Sequence, residues 1–130
     1  RNSVSGKSVN WLKYPTSLKH VYLRLEADKK RAALCFDIQI KNEGIRAILW
    51  EQMTELKTVM TSMMEADANW LESTFNSEGQ EISRIEWVLE GVNYFNQEDH
   101  QKIHDFLEEK LIKFDEFYQE YNEILILLMQ

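Results

Sequence analysis

Alternation opens the readable part of the chain. Val21, Leu23 and Leu25 are separated by Tyr22, Arg24 and Glu26, the period-two pattern of a strand with one buried face. After the polar turn Ala27-Asp28-Lys29-Lys30-Arg31, Leu34, Phe36, Ile38 and Ile40 alternate with Cys35, Asp37 and Gln39. A hairpin with one apolar and one polar face is predicted. Beyond Lys41-Asn42-Glu43-Gly44 the period changes. Ile45, Leu49, Met53, Leu56, Met60 and Met63 fall within about 40° of a common centre at about 100° per residue, which predicts a single amphipathic helix over Gly44–Met64.

The same plan then returns. Strand-like runs over Ala68–Phe75 and Ile82–Val92 flank the turn Asn76-Ser77-Glu78-Gly79. In the second run Ile85, Trp87 and Leu89 alternate with Arg84, Glu86 and Val88, and the pairs Trp70-Leu71 and Val88-Leu89 suggest a central or doubly covered strand. Asn96 and the acidic residues after it open a last helix. Its stripe is Ile103, Leu107, Lys110, Phe114, Phe117, Tyr121, Leu125 and Leu128, with the Lys110 amine carried outward on a buried stem. Ahead of the first hairpin, Val9-Asn10-Trp11-Leu12 reads as a short strand ended by Tyr14-Pro15-Thr16, and residues 1–8 as a flexible lead-in.

The expected fold is therefore α+β: two layers, an antiparallel sheet of about four strands in a ββαββα plan, and two long helices packed on it. A single domain is expected over residues 9–130, with Phe36, Ile38, Leu49, Leu56, Met60, Trp87 and Phe114 in one core.

Composition adds bounds rather than a function. The 44% hydrophobic and 28% charged residues are ordinary for a globular protein, and no apolar run approaches the roughly 20 residues of a membrane span. A formal charge of −7 weighs against broad nucleic-acid binding. The single cysteine, Cys35, points to no disulfide framework, so a cytoplasmic protein is expected. Because the sequence starts at Arg1, further residues are expected upstream.

Several short stretches resemble one family. They are Tyr22-Leu23-Arg24-Leu25-Glu26-Ala27-Asp28, Trp50-Glu51-Gln52 with Leu56-Lys57-Thr58, Ile82-Ser83-Arg84-Ile85, and Asp115-Glu116-Phe117. Over roughly Asn10 to Tyr121 the chain is similar to the mostly bacterial family called domain of unknown function 4268. That resemblance implies either a short single-domain protein, usually with another helix in front, or a module beside nuclease-like domains. Two departures stand out: Gln39-Ile40 replaces a Thr-His pair, and Ala66-Asp67-Ala68-Asn69-Trp70 replaces a Gly-Glu-Glu-Trp turn. The resemblance brings a fold and a genomic setting, but no activity.

The leading candidate site is the outward face of the sheet, where Tyr22, Arg24, Asp37, Gln39, Arg84 and Glu86 should gather as a ligand or partner surface. Arg24 and Arg84 could offer guanidinium forks to a carboxylate or phosphate, or Arg24 and Asp37 could simply pair across the hairpin. Asp37-Ile38-Gln39-Ile40-Lys41 invites comparison with the acidic-x-lysine signature of metal-dependent nucleases, but Gln39 stands where a carboxylate is needed. His100 and His104 have zinc-binding spacing yet flank the buried stripe, and Cys35 lacks a catalytic partner in sequence. Met53, Met60, Met63 and Met64 read as core.

At the end of the last helix, Ile126 and Leu127 fall well off the buried stripe, so either a second copy or a segment upstream of Arg1 is expected to cover them. The expectation for function is a non-catalytic interaction or accessory domain, tied through the family setting to nucleic-acid processing or defence. The alternative is a divergent metal-dependent nuclease-like domain. No cofactor and no metal are expected, and the partner is a protein or a second copy through the C-terminal helix.

Overall fold

The computed structural model describes the backbone of residues 9–15 and the whole of residues 18–128. The lead-in expected over residues 1–8 lies outside the described residues. The elements run β1 (Val9–Pro15), β2 (Val21–Ala27), β3 (Arg31–Ile38), α1 (Glu43–Glu55), α2 (Lys57–Met64), β4 (Asn69–Phe75), β5 (Glu81–Glu90) and α3 (His100–Leu128). A single 3-10 turn, Gln97–Asp99, leads into α3.

The two hairpins read from alternation supply four strands of one antiparallel sheet, and the protein is α+β. The strand count and the plan need correcting. β1 is a fifth strand, paired to β2 through Pro15, and the sheet order is β1-β2-β3-β5-β4. After β3 the chain crosses through α1 and α2 to the far edge, forms β4, and returns as β5 against β3. β5 is thus interior, as its two-sided apolar pattern suggests, whereas β4 lies at an edge.

Local chemistry fixes the turns. The Asp28 carboxylate accepts from the backbone N–H groups of Lys30 (2.8 Å) and Arg31 (3.0 Å) and closes the first hairpin. Asn76 does the same for Glu78 and Gln80 in the second, with Gly79 at a φ of 81° that favours glycine. Asn42 caps α1 by accepting from Ile45 N–H, and Asn96 caps the 3-10 turn by accepting from Glu98 N–H.

The helix expected over Gly44–Met64 is two helices, so α3 is the one long helix of the fold. Leu56 bonds through its N–H to both Gln52 O (3.2 Å) and Met53 O (3.0 Å), a local tightening toward 3-10 geometry. A tighter turn advances the chain by about 120° rather than about 100° per residue, and the buried face rotates. Met64 is fully buried, and Met63, expected on the stripe, is only half-buried.

At the other end of α1 the stripe also shifts. Ile45 is 42% exposed, and its neighbour Arg46 turns inward to donate to the Ile40 and Glu81 carbonyls at 3.0 and 3.4 Å. These bonds tie the first turn of α1 to the end of β3 and the start of β5.

The core lies between one sheet face and the three helices, and it contains all seven residues expected there. Phe114 is its centre, 5.3 Å from Phe36 and 5.8 Å from Trp87 between ring centres. Two positions on the α3 stripe behave otherwise than expected. The Lys110 amine points inward and donates to Met64 O at 3.2 Å, answering a carbonyl left open by the end of α2. Leu128 is 37% exposed rather than buried. Helix α3, with 29 residues, is about 43 Å long against about 33 Å for the ten residues of β5, and it outruns the sheet. Among the described residues no helix is long and apolar enough to cross a membrane.

Candidate functional site: the polar face of the sheet

Strict pairing register decides which side chains meet on the face away from the helices. Tyr22 stands opposite Asp37, and Asp37 opposite Arg84, in one row across β2, β3 and β5. Arg24, Cys35 and Glu86 form the next row, extended to Asn69 of β4. Glu26 and Ala33 follow in the row beyond.

Arg84 organises the face. Its guanidinium grips Asp37 with two bonds, Nε to Oδ1 at 2.7 Å and Nη2 to Oδ2 at 2.9 Å. The same Nη2 reaches Glu26 at 3.3 Å, and Nη1 lies 3.9 Å from Glu86. Glu86 is held more closely by Arg31, through two contacts of 3.3 Å, and by the Asn69 amide at 3.1 Å. Arg24 stands 3.9 Å from Asp37, and its Nε is buried without a hydrogen-bond partner.

Three guanidiniums, of Arg24, Arg31 and Arg84, thus face three carboxylates, of Glu26, Asp37 and Glu86. The assembly is neutral and largely withdrawn from solvent. Asp37 is fully buried and Glu86 is 5% exposed.

Electrostatics follow from that geometry. Burial opposes the charge on Arg84, but the hydrogen bonds to Asp37 and the surrounding carboxylates outweigh it, and its pKa is raised. Arg31 is shifted the same way, its burial outweighed by the bond to Glu86. Cys35, fully buried beneath these groups, has its thiol pKa pushed up by burial and then by Glu26, Asp37 and Glu86. A thiol held protonated in this way is not a nucleophile.

Of the six residues expected on this surface, Arg24, Asp37, Arg84 and Glu86 meet in the network, while Tyr22 flanks it by register and Gln39 lies just past the end of β3. Gln39 is half-buried, its Nε2 without a partner and its carbonyl accepting from Gln80 at 2.8 Å. Glu26, Arg31 and Asn69 join the network from outside that set of six. Glu26 shares the alternation of Tyr22 and Arg24 and was there to be found. Arg31 was hidden because it reads as turn, and Asn69 because nothing in sequence gives the β4–β5 register.

The other expected groups stand apart. His100 uses its Nε2 against the Tyr94 carbonyl and stacks on the Tyr94 ring, with 5.1 Å between centres. His104 is exposed on the next turn of α3. Among the described residues no three His, Cys, Asp or Glu side chains are grouped to hold a metal ion. At the end of α3, Leu127 is 69% exposed, while Ile126 packs half-buried on the core.

Comparison with known proteins gives one match. No curated protein and no solved structure matches the chain. The family model described as Domain of unknown function (DUF4268) matches residues 1–122. That span takes in both hairpins, the helices between them and most of α3, including every residue of the charge network. The chain belongs to the DUF4268 family.

Proposed function

We infer that this chain acts by binding rather than by catalysis, as an interaction or accessory domain. The state of Asp37 carries this reading. A metal-dependent hydrolase needs a carboxylate free to hold the cation. Both Asp37 oxygens are taken by Arg84 at 2.7 and 2.9 Å inside a neutral cluster. Gln39 brings an amide where a second carboxylate is required, and Lys41 lies exposed beyond the end of β3. The wider setting we attach to the domain, a role beside nucleic-acid-processing or defence enzymes, rests on family resemblance alone.

The expected result of incubating the protein with DNA or RNA and magnesium or manganese is no cleavage. Metal-dependent cleavage that disappears in Asp37→Ala would establish the nuclease reading instead.

Two surfaces are proposed for partners. On the polar face of the sheet, bounded by Tyr22, Arg24, Asp37, Gln39, Arg84 and Glu86, Arg24 is the cation least engaged by its neighbours. At the end of α3, Ile124, Leu127 and Leu128 are 45%, 69% and 37% exposed, beside half-buried Ile126, and a second copy would cover them. Because Ile126 also packs inward, the cleaner test changes its exposed neighbours. Ile124→Lys with Leu127→Lys should move the mass in sedimentation equilibrium from dimer toward monomer while unfolding stays cooperative. An unmodified protein that is monomeric at high concentration refutes self-association through Ile126 and Leu127.

A further inference from the structure

We propose that the open edge of β4, together with the groove beside α1, docks an extended basic segment of a partner protein. This rests on the binding reading above and names the surface and the chemistry of its occupant. β4 pairs only with β5, so among the described residues nothing hydrogen-bonds along its outer edge. Unpaired backbone donors and acceptors in a strand are a template for an added strand.

Beside that edge runs an open groove of about 650 Å³, walled by α1 through Ile48, Trp50, Glu51 and Glu55 and on the β4 side by Glu72. Its apolar part is real: Ile48 is 49% exposed, and Trp50 meets Trp70 of β4 edge-on at 5.5 Å. Phe75, at the end of β4, is 67% exposed. Together these give backbone hydrogen bonds from one side and apolar contacts from the other, the two ingredients of strand addition.

Charge selects the occupant. Glu51, Glu55 and Glu72 are all exposed and enter none of the ion pairs formed among the described residues. The carboxylates of the polar face, by contrast, are neutralised by arginines. Lys57, two residues beyond Glu55, has its amine occupied over the Trp70 ring, 5.1 Å from its centre. A segment alternating lysine or arginine with aliphatic residues would satisfy edge, groove and charge at once. A second copy of this chain fits poorly, since edge-to-edge pairing of β4 would bring like-charged glutamates together and the chain carries −7 overall.

The test uses short synthetic peptides, followed by amide NMR of the intact chain and by fluorescence anisotropy. One peptide alternates lysine and valine, a second replaces its lysines with glutamate, and a third keeps the lysines but is N-methylated on alternate residues. The Lys/Val peptide should shift the amides of Asn69–Phe75 and the Ile48 methyl groups, and Glu51→Lys with Glu55→Lys should weaken it by about tenfold or more. The glutamate peptide should not bind. The N-methylated peptide should lose binding, because it cannot donate along one edge.

Equal binding of the N-methylated peptide would reduce the contact to bulk charge and overturn the proposal. So would shifts confined to other surfaces, no binding at all, or β4 shifts that grow with protein concentration alone. Those results leave the binding reading standing on its other surfaces. Only metal-dependent cleavage requiring Asp37 removes that reading itself.

Discussion

Replacing Phe114 by alanine should cost about 3–5 kcal/mol of folding free energy, the usual consequence of emptying a buried aromatic site. Phe114 is 2% exposed and sits where α3 crosses β3 and β5. Its ring is within 5.3 to 6.1 Å of the rings of Phe36, Trp87, Phe117 and Tyr118, centre to centre. No neighbour can collapse into the space without leaving its own partners, so the cavity term should be felt in full. Urea denaturation followed by circular dichroism measures it. A loss below about 1 kcal/mol would mean that the core does not centre on this ring.

Replacing Arg84 by methionine should be as damaging, for an electrostatic reason. Methionine fills much of the same space but leaves the fully buried Asp37 without its two hydrogen bonds. Removing one member of a buried ion pair typically costs about 3–5 kcal/mol, because the remaining charge stays desolvated. Asp37→Val should be costly too. The double change Asp37→Val with Arg84→Met should cost well under the sum of the two, since the unpaired charge is then gone. Additive single and double effects in the same denaturation assay would show that the two side chains do not depend on one another.

Much of this architecture was legible from period alone. The hairpins follow from Val21, Leu23 and Leu25, and from Ile85, Trp87 and Leu89, because alternation writes sheet faces directly into sequence. The shared core followed from matching strand and helix stripes. What was not legible depended on small local events with long reach. The tightening at Leu56 splits one expected helix into two, and nothing in the composition around it, neither proline nor glycine, announces it. The inward turn of Arg46 could not be read either, because its partners, the Ile40 and Glu81 carbonyls, are close only in the fold.

The polar face was half legible. Its membership follows from alternation, but its meaning depends on register between strands distant in sequence. Asp37 meets Arg84 across 47 positions, and Arg31 meets Glu86 across 55. A nearer partner, Arg24, was the natural choice from the first hairpin, yet it lies at 3.9 Å while Arg84 makes the short bonds. Seen from the sequence, the arginines are either free or paired only within the first hairpin; folded, three carboxylates from three strands neutralise them. The groove beside β4 was not legible at all, since it depends on which strand ends up at the sheet edge.

The most direct test of this account is a manganese titration read at the side-chain carboxyl carbon of Asp37 by NMR. Paramagnetic broadening reports any metal that binds within a few ångströms of that carboxylate. With Arg84 holding both oxygens, the Asp37 signal should stay sharp through millimolar manganese, while exposed acidic side chains such as Glu51 and Glu72 broaden weakly and without saturation. Saturable broadening of Asp37 and Glu86 at lower concentration would contradict the account and place a metal site where it finds a closed ion pair.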